Sequence, residues 1–418
     1  MLIEFSVSNY RSFREKQTFS LVAAPRLQKK ENVFVPDVPG ERLPELLKVA
    51  AIYGPNASGK SNLLQAMDVV PRVVATNPTA TAAPLPVKPF RFDKELKDAP
   101  SCFEYNFIAG RQRYQFELAL TQNRIIEERL HVYPNGKTTL LYSRRHTERG
   151  DIYEFGEALE GGNALHDAWR HLTGPRTLFI SQAVANSSEE FQQLRIPFTW
   201  LGNGSLVINA GMSGFAERTR NFVKKFPDVG PELSSFLQEL DVPITSMRVE
   251  GEDESSLSKI GRKLPLFESY KNSGETKTIL THKTTLGEAD FEFDEESEGT
   301  KGLIGFWMPW KLLKFEGEQY RFLAIDELDS SLHPEIVANL VRKHQHSTVC
   351  SQLIFTTHDT HLMDTKLLRR DQFWVVERDS AGATQLRSIH DFVGREGEDI
   401  EKRYFEGRYR GLPYLRQS

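Results

Sequence analysis

The chain has 418 residues, 39% hydrophobic and 26% charged, with a formal net charge of -4. This is the balance of a soluble globular protein with length for one large or two ordinary domains. It excludes a uniformly basic nucleic-acid binder, though not a local basic face. Cys102 and Cys350 stand alone, which excludes a disulfide framework or a cysteine zinc site and points to a reducing compartment.

The start, MLIEFSVSNYRSF, lacks the basic-then-apolar pattern of a signal peptide. No stretch reaches the roughly 18 continuous apolar residues of a membrane helix. The expectation is a cytoplasmic protein with no membrane contact. Residues 2–7 alternate apolar and polar side chains, as in a half-buried strand, and 17–23 read as a second strand. Residues 45–53 (ELLKVAAIY) form an apolar run halted by Gly54-Pro55, the pattern of a buried parallel strand feeding a loop. From 61 to 70, Leu63, Leu64, Met67 and Val70 recur at helical spacing. The stretch 77–100, rich in proline, threonine and alanine, reads as loop. Strand patterns follow at 103–108, 113–120, 129–132 and 139–143, with Pro134-Asn135-Gly136 as a hairpin turn between the last two. Residues 155–240 read as largely helical, for example at 215–226 and 233–240. The polar stretch 250–283 predicts irregular structure. Strand and helix then alternate: strand 320–325, helix 334–344, strands 352–356 and 373–377. Residues 1–150 and 286–418 therefore read as two halves of one α/β head, separated by a largely helical insertion at 151–285.

Gly54-Pro55-Asn56-Ala57-Ser58-Gly59-Lys60-Ser61 fits G-x-x-x-x-G-K-[ST] between a strand and a helix. The glycines permit a loop whose N–H groups point at phosphate oxygens, and the helix, beginning near Asn62, offers its positive end to the same anion. Lys60 can reach the β- and γ-phosphates of ATP, and Ser61 can ligate Mg²⁺. Residues 321–327 (RFLAIDE) form an apolar strand ending in Asp326 and Glu327. Asp326 suits direct or water-mediated Mg²⁺ binding, and Glu327 suits a general base that orients the attacking water. Leu328-Asp329-Ser330-Ser331-Leu332-His333-Pro334 leads into a helix, and a further strand ends at Thr356-Thr357-His358-Asp359. His358 there is placed to contact the γ-phosphate and hold the water.

With NYRSF at residues 9–13, these motifs in this order resemble the ABC-type ATPases of the RecF/SMC class. The resemblance implies an ABC-type P-loop head: a mixed N-terminal sheet plus a parallel core sheet, with a helical insertion. It also implies a head-to-tail homodimer or higher oligomer, in which a signature loop completes the partner's site. Glu296-Ser297-Glu298-Gly299-Thr300-Lys301 is the matching segment, without the usual preceding leucine. Ser297 and the Gly299 backbone would then bond the γ-phosphate bound to the other subunit, and Asp329 would lie at the dimer contact. Arg11 would lie near the nucleotide, with Arg14 and Lys16 as alternatives. The family's metal-linked glutamine has no counterpart between Gln65 and Gln112, and 89–93 (PFRFD) is the candidate for its place. Residues 402–414 (KRYFEGRYRGLPY) resemble the tail of AbiL/RloA-type phage-defence ATPases, which work beside a RloB-type protein. A basic aromatic tail that packs on its own domain is the plainer reading.

The shared ATPase of overcoming-lysogenization-defect nucleases carries a Toprim domain. Here no D-x-D cluster follows Glu377, so any effector, such as a RloB/Toprim-like nuclease, is expected to be a separate protein. Sustained heptads for a chromosome-tethering arm are absent. The leading expectation is an ATP-hydrolysing switch of a defence system. A RecF-like clamp on DNA is the alternative, drawing on Arg111, Arg113, Arg124, Arg129, Arg144, Arg145, Arg149, Lys224 and Lys225, and contact with nucleic acid stays open. A P-loop kinase or GTPase fits less well, since TTHD is foreign to the first and no N-K-x-D serves the second. Glu327 argues against a non-catalytic scaffold.

Overall fold

The computed structural model describes residues 1–76, 83–209, 211–250, 277–314, 321–330, 332–395 and 397–412. The chain divides into two compact units. The first comprises Met1–Asn209, Leu313–Asp329 and His333–Ser418; the second comprises Ala210–Leu312 and Ser330–Leu332.

Two sheets build the first unit. An antiparallel seven-stranded sheet runs in the order Gly150–Phe155, Thr139–Thr147, Ile125–Val132, Gln112–Leu120, Ser101–Ala109, Leu2–Ser8, Gln17–Ser20. Its turn at Pro134–Gly136 needs two left-handed residues, which Asn135 (φ 51°) and Gly136 (φ 77°) supply. The six-stranded core sheet runs Ser205–Ile208, Phe322–Ile325, Gln352–Thr356, Val49–Tyr53, Phe373–Arg378, Thr384–Ser388. All but the last strand are parallel. The three central strands are buried throughout, which is why their sequences are continuous apolar runs rather than alternating ones.

Lys48 interrupts the apolar run 45–53, so a two-residue strand, Leu46–Leu47, precedes Val49–Tyr53. Its buried ammonium bonds the carbonyls of Gln345 (2.6 Å) and Ser347 (2.9 Å), orphan acceptors at the C-terminal end of the helix Pro334–Gln345. The helix predicted over 61–70 is two helices, Lys60–Met67 and Val69–Ala75. Pro71 has no N–H to offer the Met67 carbonyl; the Tyr105 hydroxyl takes that acceptor instead at 2.6 Å.

The boundaries expected for the insertion are corrected. Residues 151–209 belong to the first unit, and buried Glu128 shows why. Its carboxylate accepts the backbone N–H groups of Phe179 (2.7 Å) and Ile180 (3.1 Å), the start of the helix Phe179–Ala185, and the Tyr142 hydroxyl (2.7 Å). An anion at a helix N-terminus is stabilising, so helix and sheet fold as one body. Trp200 stacks on Phe107 at 4.1 Å between ring centroids and ties the helix Arg195–Asn203 to the same sheet.

The second unit holds the helices Ala216–Lys225, Gly230–Gln238 and most of Glu298–Leu313, with an antiparallel sheet of Ile244–Glu250, Lys277–Thr284 and Gly287–Glu292. The irregular structure expected at 250–283 is thus corrected at both ends; residues 251–276 lie outside the described residues. Among the described residues no helix is long and apolar enough to cross a membrane.

Candidate active site

Four loops leave the C-terminal ends of neighbouring parallel strands in the first unit, the place where open α/β sheets bind ligands. The first is the phosphate-loop motif. Gly54 (φ 152°) and Gly59 (φ 114°) hold conformations that side chains resist. A Cβ on Gly54 would meet the Val376 carbonyl at 2.3 Å, and one on Gly59 would meet Thr384 Oγ1 at 2.2 Å. The helix starts at Lys60, with Ser61 and Asn62 in its first turn. Lys60 Nζ folds back on the carbonyls of Gly54 (2.8 Å) and Pro55 (3.2 Å). Burial lowers its pKa, and the carboxylates of Asp326, Glu327 and Asp329 oppose that shift.

The second loop follows Phe322–Ile325. Asp326 is buried and Glu327 exposed. Glu327 has φ 52°, a left-handed conformation that costs a non-glycine residue about 1–3 kcal/mol and persists only where its surroundings impose it. Asp329 Oδ2 accepts the His358 N–H at 3.4 Å, while its Oδ1 is buried without a protein partner. The motif's His333-Pro334 has a local role: His333 Nδ1 accepts from Glu335 N at 3.2 Å and caps the helix that Pro334 opens. Ser331 lies outside the described residues. The third loop carries His358, an exposed residue. Desolvation first, then the Lys60 cation, lowers its pKa, against Asp329, Glu327 and Asp326; the neutral imidazole dominates at neutral pH.

The fourth loop follows Phe373–Arg378, and with the C-terminal segment it walls a cavity of about 610 Å³ beside the phosphate loop. Tyr53 to Ser58, Thr357, His358 and Thr360 line it together with Glu377, Arg378, Tyr404, Phe405, Gly411 and Leu412. The tail thus packs on its own domain. Tyr404 donates to the Gly411 carbonyl at 2.7 Å, Glu401 accepts from Thr360 Oγ1 at 2.7 Å, and Arg410 pairs with Glu377 at 3.3 Å. Pro413 and Tyr414 lie outside the described residues.

Two hydroxyls that the sequence did not single out brace the phosphate loop. Ser12 Oγ accepts from Asn62 Nδ2 at 2.7 Å and shares a hydroxyl–hydroxyl bond of 2.7 Å with Thr384, whose Oγ1 donates to the Ser58 carbonyl at 2.8 Å. Ser12 had a signal, its place inside NYRSF; Thr384 had none. Arg11 (φ 50°) directs Nε to the Tyr10 hydroxyl at 3.2 Å. Arg14 is paired with Asp93 of PFRFD (2.8 Å) and Lys16 with Glu104 (2.6 Å), which leaves Arg11 as the basic residue of the three not engaged by a carboxylate in these pairs.

In the second unit, Ser297 is exposed and caps the helix Glu298–Leu313. Its Oγ accepts the Thr300 N–H at 3.1 Å, and Gly299 lies in the first turn.

The cradle fits a phosphate chain. Ser58 Oγ is buried without a protein partner, a Cβ would fill the loop at Gly54 and Gly59, and the Lys60 ammonium rests on carbonyls that phosphate oxygens can replace. Ser61 and the free oxygen of Asp326 are hard oxygen donors of the kind Mg²⁺ takes.

A phosphate loop after one strand and a carboxylate pair after a strand two places away define a P-loop ATPase. Residues 49–364 match the family described as "AAA domain, putative AbiEii toxin, Type IV TA system". The chain belongs to that family. No curated protein matches the sequence. Solved structures to which the chain is similar include the SMC head domain from Thermotoga maritima, at 13% identity, covering 93% of this chain and 98% of that one, with a TM-score of 0.40. An SMC head bound to the C-terminal winged-helix domain of ScpA shows 14% identity, coverage of 93% and 97%, and a TM-score of 0.43. An SMC head with an extended coiled coil, bound to a ScpA C-terminal domain derived from Pyrococcus furiosus, shows 14% identity, coverage of 93% and 96%, and a TM-score of 0.39.

Proposed function

We propose that the protein is an ABC-type ATPase that hydrolyses ATP as a dimerising switch, and that the switch controls a separate effector in anti-phage defence. The observation that supports it most is the convergence of the phosphate loop, Asp326-Glu327 and His358 on the ends of adjacent strands. Residues 54–62 cradle the triphosphate through backbone N–H groups, and Lys60 neutralises its β- and γ-oxygens. Ser61 and Asp326 would hold Mg²⁺, which supplies further charge neutralisation at those oxygens. Glu327 accepts the proton of the attacking water, and His358, as a neutral imidazole, holds that water against the γ-phosphate.

In the head-to-tail dimer, Ser297 and the Gly299 N–H reach the γ-phosphate on the other subunit, a helix N-terminus meeting an anion. Asp329 lies at that contact and Arg11 beside the nucleotide. ATP then joins the subunits, and its hydrolysis releases them. Ser297→Arg is expected to leave ATP affinity of the monomer unchanged and to abolish ATP-dependent dimers in size-exclusion chromatography. Dimers forming as in wild type would remove the signature-loop assignment.

The defence role is tested by recovering tagged Glu327→Gln protein from its native host and identifying what accompanies it. A RloB-like or other nuclease-type partner supports the switch. Repair proteins and DNA without such a partner would support a RecF-like clamp instead. The charges argue against the clamp: Arg111, Arg113, Arg124, Arg129 and Arg144 are all engaged with carboxylates, so the basic character of that sheet is largely neutralised.

A further inference from the structure

Thr356, the last residue of the strand Gln352–Thr356, is fully buried and joins both members of the acidic pair. Its Oγ1 donates to Asp326 Oδ1 at 2.6 Å and accepts the Glu327 backbone N–H at 2.8 Å. The Thr356 carbonyl accepts the Leu328 N–H at 3.1 Å. Three consecutive residues, Asp326 to Leu328, are therefore fastened to one residue of the neighbouring strand, and the middle one is Glu327, held at φ 52°.

We propose that Thr356 is a positioning residue for ATP hydrolysis. A hydroxyl has one proton to give and lone pairs to receive, and here both capacities are used. The donated bond fixes one oxygen of Asp326, Oδ1, and leaves Oδ2 out of that bond. The accepted bond holds the chain in the left-handed turn that lifts the Glu327 side chain out of the strand and into the open. Without it the turn can relax to an ordinary φ, which swings the Glu327 carboxylate away from the line of attack. Two carboxylates have no proton to share with each other, so the Thr356 hydroxyl is what sets Asp326 relative to Glu327. The inference rests on the reading of Glu327 as the general base.

The test compares the full chain with Thr356→Val, Thr356→Ser, Glu327→Gln and the double variant Glu327→Gln/Thr356→Val, measuring ATP affinity, kcat, KM and melting temperature. Valine keeps the shape and removes both bonds; serine keeps both. Thr356→Val is expected to lower kcat by about 10–100-fold, the cost of a misplaced reacting group, with ATP affinity within about threefold of wild type. Thr356→Ser is expected to recover kcat to within about threefold, and valine to cost less in the Glu327→Gln background than in the wild type, the remainder reporting its bond to Asp326. A Thr356→Val enzyme with wild-type kcat, a serine variant as slow as valine, or a full additional loss in the double variant would each overturn the inference. Should the valine protein fail to fold, Thr356→Ala removes the same two bonds with less bulk and is read against serine in the same way. Glu327→Gln turning over at the wild-type rate would sink the general-base reading itself. A slow Glu327→Gln beside a fast Thr356→Val would sink only the role of Thr356.

Discussion

Replacing Glu327 by glutamine is expected to slow ATP turnover at least about 10²-fold, the usual worth of a positioned general base, while ATP affinity stays within about threefold. The two side chains have the same shape, and Glu327 is exposed, so the substitution asks little of the packing. The backbone turn is unaffected, because its fastening to Thr356 runs through the main-chain N–H. What changes is proton affinity: an amide oxygen cannot take a proton from water at neutral pH. The variant should therefore accumulate with ATP bound, and ATP-dependent dimers should outlast those of the wild type. Single-turnover phosphate release separates this from slow product dissociation. Release at the wild-type rate would exclude Glu327 as the base and leave His358 as the candidate group for that role.

The same residues show what a sequence can and cannot reveal about this fold. The strands Val49–Tyr53, Phe322–Ile325 and Gln352–Thr356 are legible because a strand buried on both faces has to be apolar throughout, and each runs directly into a motif with plain chemistry. The strand Gly287–Glu292 is exposed along its whole length, so no apolar alternation marks it. Lys277–Thr284 is apolar only at its centre. The boundary of the first unit was hidden for another reason: the buried carboxylate of Glu128 finds its partners roughly fifty residues on, at Phe179 and Ile180. The bracing hydroxyls are the hardest case. Ser12 and Thr384 meet across 372 positions, and Thr356 meets Asp326 across 30. Serine and threonine are common surface residues, and only the pairing gives them meaning. Thr356 lies inside the TTHD motif, but as the buried last residue of a strand it carries no mark of its own beside His358.

Lys60→Ala is expected to remove ATP binding at any useful concentration, with Kd raised by about 10²–10⁴-fold. Two hydrogen bonds from an ammonium to phosphate oxygens are lost, each worth about 1.5–3 kcal/mol, and each 1.4 kcal/mol is a factor of ten. The electrostatics push the same way. Asp326, Glu327 and Asp329 all act on Lys60; with the cation gone, their repulsion of the triphosphate is offset only by the backbone N–H groups and by the Mg²⁺ that Ser61 and Asp326 would hold. The folded protein itself should not suffer. The buried ammonium is already disfavoured by desolvation, and the carbonyls of Gly54 and Pro55 that it satisfies belong to a loop open to solvent on its cavity side. A thermal melt of the nucleotide-free variant should match the wild type, while calorimetric titration with Mg-ATP gives no measurable heat of binding. Affinity preserved in the variant would show that the phosphates do not sit in this loop. A lowered melt together with lost binding would assign Lys60 a structural task in addition, through the two carbonyls on which it rests.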